Sequence, residues 1–145
     1  PKLGKVESIE WEGVMSVEMH PIGYVRHDSE DVPRIYTISD VEGILVIDQK
    51  YAAGLSDIEV GQRLNVLFHF HKSPEFSEKY LKIKPPTRDR KHGVFSTHSP
   101  IRPNPIGLSV VEVLAVEGCQ IKVKGLDMLN ETPILDIKSE IRPGH

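Results

Sequence analysis

Short runs with strand character recur along this chain, each cut off by Gly, Pro, Asp or Asn, and no segment of comparable length carries a helical period. They fall at 16–26, 43–48 (GILVID), 64–71 (LNVLFHFH), 108–116 (LSVVEVLAV), 119–126 (CQIKVKGL) and 134–138 (ILDIK). In the fifth run Ile121 and Val123 alternate with Lys122 and Lys124, the period of a strand with one wet face. Helices are expected only as short pieces, near 55–60, where Ser56 and Asp57 offer caps, and at 74–81, where Pro74 suits a helix start. Many short strands with few helices call for an antiparallel barrel or a curled sheet, because sheet edges have to be closed or covered.

Length and composition narrow the class. At 145 residues the chain holds one core, and 39% hydrophobic with 27% charged residues is an ordinary globular balance. Residues 1–14 read as a loosely attached leader and 15–145 as a single domain. Its one cysteine, Cys119, leaves no partner for an internal disulfide and none for a multi-cysteine zinc site, and fits a cytoplasmic protein. No apolar run approaches the ~20 residues that span a bilayer, so no membrane partner is expected.

The stretch 93–109, GVFSTHSPIRPNPIGLS, is hard to explain as a plain connector. Pro100, Pro103 and Pro105 fix φ, remove backbone donors and push their predecessors toward extended conformations, so the loop is barred from helix and from sheet interior. A loop stiffened in this way loses little entropy on ordering and presents Arg102 and Asn104 in fixed positions. A stiff surface turn is the simpler alternative.

Two other features carry possible chemistry. His69 and His71 stand two apart in a strand, which starts a metal site, yet no third ligand follows at zinc spacing and no metal is expected. Residues 79–91 hold six Lys/Arg and one acid, a net +5, whereas the remainder holds twelve basic and twenty acidic residues, a net −8. A basic segment on an acidic body can hold phosphates, with a solvated loop as the bland alternative. No two glycines are separated by a single residue, which disfavours a dinucleotide fold or a Rossmann methyltransferase.

Taken together, GVFSTHSPIRPNPIGLSVVEV, GLDMLNETPILDIK and the earlier PIGYVR, DVPR and FHFH resemble the TsaA-like (YaeB, TrmO) family, whose patterns run GVFATRSPxRPNPIGLS and LDxxDGTPVLDIKPY. The likeness extends from about Pro21 to Lys138. It implies a mainly β fold, a single-sheeted, antiparallel-rich β-barrel with a few short helices, that binds S-adenosylmethionine without a Rossmann fold. It further implies methyl transfer to the exocyclic N6 amine of threonylcarbamoyladenosine at position 37 of tRNA, next to the anticodon, by a homodimer. By position, cofactor contacts are implied at Pro33, Arg34, His71, Lys72, His98, Leu108, Lys124, Gly125, Leu126 and Asp127. Arg102, Asn104 and Asp136 lie inside the matched motifs, and Arg88, Arg90 and Lys91 of the basic run are the expected tRNA contacts. His71 and Asp127 are both candidates for the base that removes the amine proton.

The chain departs from the family pattern in two places. His98 stands where the family has Arg, which exchanges a permanent bidentate cation for a titratable one. Asn130 and Glu131 replace Asp-Gly, so a carboxylate is lost and a side chain enters a position suited to positive φ. These departures keep a second reading open, a non-catalytic S-adenosylmethionine-binding or RNA-binding module.

Overall fold

A computed structural model of the chain describes residues 2–9, 15–33, 35–86 and 88–141. Among the described residues there are eight strands: β1 Gly23–Arg26, β2 Glu42–Ile47, β3 Arg63–His69, β4 Lys82–Ile83, β5 His92–Gly93, β6 Ile106–Glu117, β7 Gln120–Lys124 and β8 Pro133–Ser139. Six of them form one antiparallel sheet in the order β1-β2-β7-β6-β3-β8, and β8 pairs back to β1 so that the sheet closes into a barrel. The remaining two, β4 and β5, make a small separate ribbon that carries the basic segment.

Alternation decides which side chains fill the barrel. β3 buries Leu64, Val66 and Phe68 and turns Arg63, Asn65 and Leu67 outward, while β7 buries Ile121 and Val123 between exposed lysines. Together with Val25, Leu45, Ile47, Val111, Val113, Leu126, Met128 and Ile134 they form one apolar core. Such burial removes roughly 1.5–3 kcal/mol of exposed apolar free energy per large side chain. β6 is long enough to pair with β3 through its first half and β7 through its second, with a register shift between Val113 and Ala115 that bends it around the barrel. Gly107 is required here, because a Cβ would stand 2.2 Å from the Phe68 ring.

Three expectations change. The strand expected over 16–26 begins only at Gly23: residues 15–20 are exposed and belong to no strand. The run at 64–71 stops at His69, because Phe70 N–H goes to Pro105 O and His71 N–H folds back onto His69 O at 2.8 Å, so His71 is not a strand partner of His69. Neither expected helix stands where its caps suggested. A 3-10 helix at Gln49–Leu55 is capped by Asp48, whose carboxylate accepts from Lys50 N–H, and Ser56 closes its C-terminal end. In the second segment only Glu78–Tyr80 is helical, four residues beyond Pro74.

Candidate functional site

The site is assembled where β7 ends. Gly125, at φ +105°, turns the chain as it leaves the strand, a backbone state suited to glycine. Its N–H and that of Leu126 both reach Val41 O, at 3.0 and 3.2 Å, and Ser39 Oγ donates to Leu126 O. These bonds dock 124–127 against the segment before β2 and aim Asp127 across β6. There the Ser109 hydroxyl donates to its carboxylate. Ser109 lies in the inward row Gly107, Ser109, Val111, Val113 and is fully buried, so its hydroxyl depends on that acceptor.

Burial pushes the Asp127 carboxyl above the usual aspartate range. Opposing it are the Ser109 hydroxyl, the main-chain N–H groups of Asp127 itself and Tyr36, and the charge of His98. Desolvation prevails, and the result is a carboxylate that accepts a proton more readily than an exposed one. The exposed His98, on the proline loop 29 positions earlier in the chain, contributes the smallest of these opposing effects.

That loop is braced from within. Arg102 Nη1 donates to Thr97 O at 2.9 Å and Ser99 O at 3.3 Å, and Ser73 Oγ, just beyond β3, donates to Pro100 O at 3.0 Å. Asn104 O accepts from Ile106 N–H at 2.7 Å and Pro105 O from Phe70 N–H. His71 and Lys72 sit in the turn that this bracing fixes. On the basic ribbon, Arg88 Nη1 reaches Ser96 O at 3.4 Å, and His92 is held below the usual histidine range, first by lost solvent and then by the charges of Arg90 and Arg88. Arg88 and Arg90 thus converge on one patch beside the loop, with Lys91 exposed next to them.

The residues implied by resemblance divide into groups. Asp127, His98 and Gly125 belong to one assembly, together with Ser109 and the Tyr36 main chain. Pro33 is half-buried, Lys72 and Lys124 are exposed, and Leu108 shows 42% of its surface on the outer face of β6. Leu126 is fully buried in the core, with its N–H on Val41 O and its carbonyl accepting from Ser39 Oγ, so it holds the turn in place. Arg34 lies outside the described residues. Asp136 stands apart: it lines a cleft of about 440 Å³ bordered by Ile22, Tyr51, Leu55 and Ile58, beneath the 49–58 turn, that contains none of the other implied residues. Among the described residues no group of three His, Cys, Asp or Glu is placed to hold a metal.

Ser109 escaped sequence reasoning, although a signal exists, since it is the one hydroxyl in an otherwise apolar or glycine inward row. The two departures from the family pattern are legible in the geometry. Asn130 Oδ1 accepts from His27 N–H at 2.9 Å, a bond that needs an oxygen but no charge. Glu131 has φ 68° and is the positive-φ residue other than glycine among those described.

Comparison with known proteins follows the same residues. The profile of the tRNA-methyltransferase O N-terminal domain matches residues 25–142. A probable S-adenosyl-L-methionine-binding protein of Pyrococcus abyssi is 37% identical over 81% of this chain and 65% of its own length. The human tRNA (adenine(37)-N6)-methyltransferase is 46% identical over 60% of this chain and 20% of its own. A crystal structure of TrmO from Pseudomonas aeruginosa superposes with a TM-score of 0.70 at 29% identity, over 88% of this chain and 57% of that one. The chain therefore spans less than two thirds of each of these three proteins. With its profile match running from within β1 through the proline loop and the Asp127 turn, the chain belongs to the tRNA-methyltransferase O N-terminal domain family.

Proposed function

We propose that this chain is an S-adenosylmethionine-dependent methyltransferase acting on the exocyclic N6 amine of adenosine 37 in tRNA, with threonylcarbamoyladenosine as the form methylated. The observation that carries the reading is the Asp127 carboxyl, raised by burial and fixed by the Ser109 hydroxyl. The name of the human relative supplies the reaction class.

The residues present suit the cofactor. Lys72 offers a cation for an α-carboxylate, Leu108 an exposed apolar surface for a purine, and the 124–127 turn the Asp127 carboxylate that complements a sulfonium. When bound, S-adenosylmethionine supplies an electrophilic methyl group. The target amine is a poor nucleophile because its lone pair is delocalised into the ring, so removal of its proton assists attack. Asp127 would take that proton as the new N–C bond forms and the methyl–sulfur bond of the cofactor breaks to leave a neutral thioether, and Ser109 would keep the carboxylate aimed. The loop braced by Arg102 excludes alternative placements, and much of the rate enhancement is this positioning.

Arg88, Arg90 and Lys91 face the phosphates in this reading, and Arg102 and Asn104 border the base. A homodimer belongs to it as well: the outer cleft of about 250 Å³ lined by Met19, Leu67, Ile106 and Leu135, with Asp136 at its border, offers a largely apolar face for a second copy. A tRNA substrate and a lone cysteine fit a cytoplasmic protein. Among the described residues no helix is long and apolar enough to cross a membrane. The alternative, a binding module without transfer, drew on the His98 and Asn130 departures. Asn130 fills its place with an oxygen acceptor, which favours the enzyme reading, and a transfer assay with His98 in place decides between the two. Incubation with methyl-labelled cofactor and tRNA tests the proposal: label in adenosine 37 supports it, and binding without label overturns it.

A further inference from the structure

Phe95 is the most exposed aromatic side chain among the described residues, with 77% of its surface free. Its exposure is enforced by its neighbours. Val94 is only 1% exposed and its N–H reaches Leu81 O at 2.8 Å, while Thr97 N–H and Oγ1 both close onto Val94 O. Arg88 Nη1 reaches the carbonyl two residues on, that of Ser96. The Val94–Ser96 turn is thus pinned on both sides, and Phe95 is presented outward on a rigid base. On one side lie Arg88, Arg90 and Lys91, and on the other the loop continues three residues to His98, which acts on Asp127.

An exposed apolar ring one residue from the carbonyl that Arg88 holds, on the loop that carries His98, fits a ligand that combines negative charge with a flat apolar face. Unpaired nucleotides have that chemistry, and single-stranded RNA loops are held by stacking splayed bases on aromatic rings while cations follow the backbone. Resting on the tRNA methyltransferase reading above, we propose that Phe95 is a stacking platform for an unpaired base of the RNA, fixing the strand between the basic ribbon and Asp127. A base stacked there relieves the target adenosine of its own stacking partner and turns its N6 edge toward the carboxylate.

The test is equilibrium binding of an anticodon stem-loop RNA to the full chain at several salt concentrations, for the parent, Phe95→Ala, Phe95→Leu and Phe95→Trp, with binding of free S-adenosylmethionine and sedimentation measured in parallel. The expected result is a loss of roughly tenfold or more for Phe95→Ala at every salt, with an unchanged salt slope, recovery in Phe95→Trp and none in Phe95→Leu. Parent-like affinity in Phe95→Ala overturns the stacking role and leaves the tRNA reading standing, as does equal recovery by Leu and Trp. An equal loss of cofactor binding assigns Phe95 to the cofactor pocket instead, and a change of oligomeric mass assigns it to a protein contact. A parent protein that binds no RNA overturns both the stacking role and the reading beneath it.

Discussion

The Ser109 hydroxyl donates to the Asp127 carboxylate, and this one bond joins the inward face of β6 to the turn that follows β7. Ser109→Ala removes the donor while burial remains, so the Asp127 carboxyl titrates at still higher pH. Carboxyl-carbon NMR titration measures the change. A hydrogen bond to a charged group is worth about 1.5–3 kcal/mol, and the variant loses up to that amount above the titration. An unmoved midpoint contradicts the coupling.

Burial of Asp127 leaves a mark on stability against pH. Its folded pKa is raised, so the native state binds the proton more tightly than the unfolded chain, and unfolding free energy falls as pH rises from the ordinary aspartate value through the raised one. Above that window the loss is complete. Asp127→Asn removes this component, and urea titrations across the acid range show it as a flatter profile for the variant. Parallel profiles rule out a raised carboxyl.

Glu131 occupies the left-handed region at φ 68°, where an L side chain costs roughly 1–2 kcal/mol. Part of that is offset in a glycine variant by the larger entropy of its unfolded chain. Glu131→Gly is therefore stabilising by about 0.5–1 kcal/mol, a rise of about 2–4 °C in Tm by calorimetry. A lower Tm means that the Glu131 side chain contributes more than its backbone costs.

Arg88, Arg90 and Lys91 are exposed on the ribbon, and each phosphate they neutralise releases counterions. Replacing all three with alanine flattens the slope of log affinity for tRNA against log salt by about two to three. Fluorescence anisotropy over a salt series measures it. An unchanged slope means that the RNA approaches another face.

The sheet was readable in the sequence where one face is wet. Alternation in 119–126 and 64–71 located β7 and most of β3, because period-two burial is a local property. The start of β1 was not readable, since the residues before Gly23 have strand propensity and a strand needs a partner to become one. The failure at His71 has the same origin: the proline loop captures Phe70 N–H, a contact 35 residues distant that no local pattern reveals. For the site, the motifs pointed to 93–109 and 124–127, and the positive-φ position at Glu131 followed from a missing glycine. The Ser109–Asp127 bond depends on how β6 lies against the β7 exit, so it was visible only after folding.

Transfer of the methyl group itself tests the account most directly. The protein is incubated with methyl-labelled S-adenosylmethionine and tRNA with or without threonylcarbamoyladenosine, and the RNA is digested to nucleosides and read by mass spectrometry. The account predicts one added methyl on N6 of adenosine 37 in the modified tRNA, with the rate lowered about 10²- to 10⁴-fold in Asp127→Asn. Bound cofactor with no label in either tRNA contradicts it and makes the chain a binding module.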